Sequence, residues 1–515
     1  MKRYTRLIIV IASLFVLIIA LTVGLNLWIK HRLPQIINEN NNSAYQVTYG
    51  DVSVSLLNQS IIARDIVVIP RKALSAGEEK LGLFAKVPSV EIKDFSYWDL
   101  IRENRIKAGA LIVTKPQATL FQPVSPARDE ARKTMAKLDQ IIYVRDFYMH
   151  EGDLKLYRGG ISTMVADSVS MQVEGILVSP NTLKNIIPIE YKSYRTDCRA
   201  ISYRINRFYE VRGRRFALMP HKLEIRDVKL LPLMGRRAFI AAIPEEKDLF
   251  TINMRSLVAD SLQWGFYENE GFYARAKSLI LDRVNANIYR GKMAPDDPER
   301  KKLYGELLRE IPFELKVNTL QMKNSRIEYE EELDFDHGAG KVYFTQFYMT
   351  ARGVASTFGR NKMPDVNIDV NCRFMGAAKM KTNWRFNPMD KSDGFRIRGS
   401  ILNFPAGRMS VFTKPYINAD VSGELDEVYF DFTGNANGAW GEFAVNYDDL
   451  KVKIYKKKDR KKKNKLLTAI ANLFVKNDTK EKVNSTEVKV ERLKDKSFFN
   501  LLWRSVAAGL KEIVL

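Results

Sequence analysis

Hydrophobic and polar residues alternate one for one along most of this chain. The stretch "DVSVSLL" sets Val52, Val54 and Leu56 on one side of an extended segment, and the spacing recurs at Val90/Ile92, Leu154/Leu156, Val169/Met171/Val173, Leu223/Ile225 and Leu279/Leu281. It continues through Phe313/Leu315/Val317, Val366/Ile368/Val370, Val428/Phe430/Phe432 and Phe443/Val445/Tyr447. Strand side chains point alternately to two faces, so the pattern predicts antiparallel strands, apolar on one face and polar on the other. Gly109, Gly152, Gly213, Gly271, Gly399 and Gly423 punctuate it as turns. About two dozen strands of ordinary length are expected.

Helical spacing is rare. "DPERKKLYGELLREIP" places Leu303, Leu307, Leu308 and Ile311 on one face before Pro312, which predicts a short helix near 299–311. Residues 128–138 and 466–474 are two further candidates. The ending "KSFFNLLWRSVAAGLKEIVL" aligns Phe499, Leu502, Trp503, Val506, Leu510 and Ile513, which predicts a C-terminal amphipathic helix.

One segment follows neither pattern. Residues 7–29 carry no charged side chain over 23 positions. A helix of that length rises roughly 35 Å, enough to cross a hydrocarbon core of about 30 Å. A cleavable signal peptide has a shorter apolar core, about 7–15 residues, and a small-residue cleavage site. Here the run closes on Trp28, Lys30, His31 and Arg32, so it reads as an uncleaved transmembrane anchor. The basic tail 1–6 is then cytoplasmic, and the rest of the chain lies in the periplasm, held to the inner membrane by a single pass. The expected organisation after the anchor is an N-terminal β region at 30–125, a middle β region at 126–311 and a C-terminal β region at 312–455. A polybasic segment with amphipathic helices follows at 456–515.

Charge changes the picture at one place. The net charge of the 515 residues is +22, and much of it gathers in "KIYKKKDRKKKNKLLTAIANLF". Lys456, Lys457, Lys458, Arg460, Lys461, Lys462, Lys463 and Lys465 surround a single Asp459. Outside the cytoplasm this run has no nucleic acid to meet. It is either a solvated basic loop or a contact with anionic headgroups, worth about 1 kcal/mol per cation. In the second reading Trp503 of the terminal helix joins it at the membrane surface.

Catalytic signatures are missing. His31, His150, His221 and His337 have no companion at metal or triad spacing, and there is no GxSxG, GxxxxGK[ST] or CxxC. The acidic "YEEELDFDH" at 329–337 lacks the spacing of a calcium loop and reads as a solvated hairpin end. Cys198 and Cys372 are either a disulfide or two buried thiols. No enzyme activity and no cofactor are expected. Faint repetition runs through the chain: "VADS" occurs at Val165 and Val258, "YRG" at Tyr157 and Tyr289, and "VRDFYMHEGDLKLY" parallels "VNTLQMKNSRIEYEE".

These features together resemble a known family. The anchor followed by "LPQIINENNNSAYQVTYGDVSVSLLNQSIIARDIVVIP", and then "VPSVEIKDFSYWDLIRENRIKAGALIVTKPQATLF", is similar to the opening of AsmA-like proteins of the Gram-negative envelope. "NADVSGELDEVYFDFTGNANGAWGEFAVNYDDLKVKIYKKK" and the final "SFFNLLWRSVAAGLK" resemble the endings of shorter members. The resemblance implies an elongated, twisted β-sheet curled into a groove with an apolar concave face, and TamB-like relatives imply movement of phospholipid between membranes. Expected partners are phospholipid, the inner membrane and other envelope proteins. Candidate groove residues are Val52, Val54, Val169, Met171, Leu279, Leu281, Val366, Ile368, Phe430 and Phe432. Alternation alone equally permits a closed β core, and with it a structural or regulatory scaffold.

Overall fold

The computed structural model describes residues 45–55, 57–71, 81–103, 105–123, 141–267, 271–455, 479 and 482–514. The expected anchor at 7–29, the helix candidates at 128–138 and 466–474, and the basic run 456–465 lie outside them. Among the described residues no helix is long and apolar enough to cross a membrane. The chain is mostly β, with 22 strands and a few short helices among the described residues. It divides into two compact units, residues 1–205 with 212–220, and residues 206–211 with 221–515.

The first unit holds β1 (Tyr45–Thr48), β2 (Asp51–Ser55), β3 (Ser60–Pro70), β4 (Gly82–Lys93), α1 (Tyr97–Glu103), β5 (Arg105–Thr114), β6 (Gln117–Gln122), β7 (Ile141–Arg158), β8 (Ile161–Val178) and β9 (Ser193–Arg204). Most of β10 (Tyr209–Met219) also belongs to it. The second begins its sheet with β11 (His221–Pro232), followed by α2 (Arg236–Ala242), β12 (Asp248–Phe266), β13 (Phe272–Asp282), β14 (Asn285–Gly291), α3 (Tyr304–Arg309), β15 (Glu314–Glu332) and β16 (Gly340–Ala355). It ends with β17 (Val366–Phe374), β18 (Ala378–Phe386), β19 (Phe395–Pro405), α4 (Ser410–Ile417), β20 (Ala419–Gly434), β21 (Gly438–Ile454), β22 (Asn484–Glu491) and α5 (Phe498–Val514).

Pairing is mixed, where alternation predicted antiparallel strands. β5 and β6 run one after the other beside β4, antiparallel to it, and both then pair parallel with β7. β13 and β14 stand in the same relation to β12 and β15. A parallel neighbour requires the chain to cross back to its starting end. In the second unit that crossover is residues 292–313, and it carries α3, shorter than the predicted 299–311 because Leu303 is its N-cap and the last turn closes at Glu310.

The alternation is also interrupted, and the interruptions line up. Arg105 pairs with Ile141 and Gln117 with Asp153, the same offset on both sides of the gap between β5 and β6. Lys115 in that gap (φ 49°) therefore stands opposite Glu151 (φ 51°), and the neighbouring strands carry Asp65 (φ 52°) and Ser168 (φ 50°) at the same level. The second unit repeats the line with Asp227, Arg283, Asn324 and Gln346, all between 46° and 51°. A single left-handed residue breaks the two-residue period, so apolar side chains on either side of it stay on one face instead of flipping. On β7, Phe147 and Met149 precede Glu151 and Leu154 follows it, yet all three join one cluster with Ala166, Val169 and Cys198. The repeated phrases on β7 and β15 carry Glu151 and Asn324 at the same place, and both "VADS" phrases end on a left-handed serine, Ser168 or Ser261.

Candidate functional site

Directly opposed residues of neighbouring strands project to the same face, so the register shows which of the ten candidate groove residues share a surface. In the first unit Val52 opposes Ala63, which continues through Val90, Val113, Met149 and Met171. Val54 opposes Ile61, followed by Ile92, Leu111, Phe147 and Val173. These two adjacent rows cross β2, β3, β4, β5, β7 and β8 as one apolar stripe. Val52, Val54 and Met171 lie on it, and Val169 sits beside it in the same cluster as Met149. Val52, Val54, Val169 and Val173 are buried, while Ile92, Leu111 and Met171 are half-buried.

The second unit builds the same stripe. Leu281 stands in a row with Ile225, Leu257, Met322, Met349 and Val370. Leu279 stands in the next, with Leu223, Ala259, Leu320, Ala351 and Ile368, and that row runs on through Trp384 and Ile397 to Phe432. Val366 and Phe430 flank these rows on the same face. All six candidates of the second unit therefore lie on one apolar face.

They do not share one environment. From β11 to β16 the stripe is half-buried at Leu223, Ile225, Leu257, Leu279, Leu281, Leu320, Met322 and Met349. From β17 to β22 it is a closed core: Val366, Phe430 and Phe432 are buried with Phe443, Val445 and Tyr447, and Ile368 packs against them. The cover is α5, assisted by Leu303 and Leu308 next to and on α3. Phe498 stacks on Trp384 with ring centroids 4.5 Å apart, and Tyr304 meets the same indole edge-on at 4.9 Å. For Val366, Ile368, Phe430 and Phe432 the open-groove expectation gives way to a core filled by the chain's own helix.

The predicted amphipathic stripe of α5 is rotated by about one residue. Its buried side is Phe498, Leu501, Ser505, Gly509 and Ile513, whereas Phe499 and Trp503 face outward. Small residues are at the sheet because they permit close approach: a β-carbon on Gly509 would lie 2.4 Å from the Phe443 ring. A hydrophobicity pattern weights Ser505 and Gly509 as neutral, so it chose the larger residues.

The opposite face is polar. Asp369, Asn383, Arg398, Asp431 and Glu442 follow one another across β17 to β21 and line an open hollow of about 540 Å³. Arg352 contacts Asp369 at 2.7 Å, and Arg396 makes a two-pronged contact with Asp431 at 2.8 and 2.6 Å. Hydrogen-bond partners hold both carboxyls below the usual carboxylate range, Asp369 chiefly through the Asn383 amide and then the Arg352 guanidinium, Asp431 through the Arg396 guanidinium.

The acidic segment 329–337 is a solvated hairpin end only from residue 333 on, where Leu333, Asp336 and His337 are exposed in the turn between β15 and β16; its first half is not. Glu330 and Glu332 are buried. Arg236 grips Glu330 at 3.0 and 2.9 Å, Asn287 donates to it at 2.6 Å, and Tyr289 donates to Glu332. Tyr329 and Tyr416 both donate to Glu331, at 2.7 and 2.9 Å. Burial alone would raise the Glu330 carboxyl, but the Arg236 and Asn287 contacts keep it below its ordinary value. Among the described residues no group of three acidic, histidine or cysteine side chains is arranged to hold a metal. Cys198 and Cys372 are free, buried thiols, and burial pushes them up to about 11 and about 12 respectively.

Of the predicted membrane-surface residues only Trp503 is described, half-exposed on the outer side of α5. Lys456, Lys457, Lys458, Arg460, Lys461, Lys462, Lys463 and Lys465 are not among the described residues. No family model matches this chain, and no curated protein matches it.

Proposed function

We propose that the apolar stripes bind the acyl chains of phospholipid, and that the protein is a non-enzymatic lipid-binding and lipid-transfer module of the AsmA-like kind. In this reading residues 7–29 anchor it in the inner membrane, the β regions lie in the periplasm, and the lipid it carries serves outer-membrane biogenesis. The lines of left-handed residues bend each sheet into the wall of a groove whose inner surface is the stripe. One observation carries the proposal: the register makes a stripe two residues wide and continuous over six strands, yet leaves most of it half-buried. An acyl chain supplies the missing cover. Each methylene removed from water contributes about 0.8 kcal/mol, so a dozen supply roughly 10 kcal/mol.

The scaffold reading draws support from the closed core beneath α5, which leaves no room for a ligand over β17 to β22. The two readings divide on lipid content. A chain beginning after Lys30, prepared without detergent, should carry phospholipid in stoichiometric amount on extraction. Folded protein free of lipid, which also fails to take up a fluorescent acyl probe, would favour the scaffold.

A further inference from the structure

On the polar face of the second unit, Ser400, Tyr429 and Ala444 stand directly opposite one another on β19, β20 and β21, and opposed residues share a face. Short side chains on both flanks leave the Tyr429 ring standing clear, 40% exposed, in the lining of the open hollow of about 540 Å³. Trp440, 44% exposed, stands on the same face of β21, two residues before Glu442. The register puts it one strand across and four residues along from Tyr429, roughly 14 Å away.

The charges around the hollow divide into two sets. Asp369 is satisfied by Arg352 and by Asn383 Nδ2, which donates to it at 2.8 Å, and Asp431 is satisfied by the Arg396 fork. Lys381, Arg398 and Glu442 line the same hollow and form no hydrogen bond or ion pair among the described residues. Arg398 opposes Asn383 on one side and Asp431 on the other, and Lys381 is its diagonal neighbour on β18, about 7–8 Å away. Glu442 lies beyond Asp431, two strand spacings or roughly 10 Å from Arg398. Free donors therefore flank Tyr429 on one side, and a free acceptor on the other.

We propose that this hollow binds an uncharged oligosaccharide. Concave sites with a few convergent polar groups are where small ligands are held. A sugar ring has flat faces of C–H groups that cover an aromatic ring, and a rim of hydroxyls that both donate and accept. Those hydroxyls accept from Lys381 and Arg398 and donate to Glu442, and hydrogen bonds to charged partners are the stronger kind. A nucleotide or other phosphate ester fits less well, because Asp369, Asp431 and Glu442 outnumber the two cations of the lining. Trp440 supplies a second platform for a ring further along the same chain of sugars. The site is on the face opposite the acyl-binding stripe, so either proposal can fail while the other stands.

The test is saturation-transfer NMR on the full chain in phosphatidylcholine nanodiscs, with cellotetraose, maltotetraose and chitotetraose as probes. Saturating the aromatic protons should mark ring C–H protons of at least one probe. Tyr429→Ala should abolish that transfer, and Tyr429→Phe, which keeps the ring, should retain it. Lys381→Gln with Arg398→Gln should weaken binding about tenfold or more. Trp440→Ala should weaken the tetrasaccharide several-fold and leave the matching disaccharide unchanged. Tyr429, Lys381, Arg398 and Trp440 are exposed, so thermal unfolding of each variant should stay within a few degrees of the parent. No transfer to any of the probes would overturn the proposal. So would transfer that survives Tyr429→Ala, or displacement of the sugar by inorganic phosphate, which would indicate an anion site.

Discussion

Leu281 and Phe432 lie on one apolar face of one sheet, and their alanine variants should behave in opposite ways. Phe432 is 1% exposed, opposes Ile397 and Gly441, and stacks on Phe430 with ring centroids 5.6 Å apart. Phe432→Ala leaves a cavity that α5 and the sheet cannot close, at a cost of about 3–5 kcal/mol. Leu281 is half-buried and opposes Leu257 and Met322 within the sheet. Full burial of leucine contributes about 1.5–3 kcal/mol, so at half burial Leu281→Ala should cost about 1 kcal/mol. Hydrogen exchange of lipid-stripped protein reads both: amides of β19 to β21 should lose protection strongly in Phe432→Ala and little in Leu281→Ala. Acyl-probe affinity should show the reverse, a loss of several-fold to tenfold for Leu281→Ala, because about 1.4 kcal/mol is a factor of ten. If Leu281→Ala unfolds the unit as Phe432→Ala does, the stripe is a closed core throughout and the distinction drawn between its two halves is wrong.

Three further outcomes follow from particular residues. Asn324→Gly and Asn324→Val both lose the side-chain hydrogen bonds to Asp282 and Tyr348, but the valine variant should be less stable than the glycine variant by about 1–2 kcal/mol, because a branched side chain at φ 51° meets its own backbone; equal effects in urea unfolding would mean that the line of left-handed residues is not under strain. Glu314 is held at about 2 by the Arg275 hydrogen bonds, with Tyr267 and Arg360 also facing it. A carboxyl depressed from 4.5 contributes stability that is present above that value and is lost as pH falls toward 2, so the melting-temperature advantage over Glu314→Gln should shrink below about pH 4.5; an advantage constant across that range would contradict this. Cys198 and Cys372 should resist a thiol reagent at neutral pH in the native chain and both react after denaturation, and prompt labelling of either would show its shell to be open.

Much of this was legible in the sequence, and the shortfalls have physical causes. Period-two alternation identified the strands around Val52, Leu281 and Phe432, because a half-buried strand has no other way to arrange its side chains. It did not show that alternation breaks at Glu151 or Asn324. The sign of each break is a polar residue where the phase of the apolar positions slips, as between Met149 and Leu154 or Met322 and Ile327. Parallel pairing was invisible because it depends on where the crossover returns, which no local pattern encodes. Cover was equally invisible: Leu281 and Phe432 have the same spacing, and the placement of α5 makes Phe432 a core residue while Leu281 stays half-buried. The rotation of α5 follows from Ser505 and Gly509, whose lack of bulk is their role.

The central claim is that acyl chains lie on one face of these sheets, and strand alternation allows that claim to be tested one residue at a time. A photo-crosslinking amino acid placed at Met322 projects from the stripe, and at Gln321 from the opposite face. The same contrast exists between Met149 and Tyr148 in the first unit. After irradiation in cells, intact-mass measurement should find phospholipid adducts at Met322 and Met149 and none at Gln321 or Tyr148. Adducts spread equally over both faces, or absent from Met322 and Met149 in folded protein, would contradict the account.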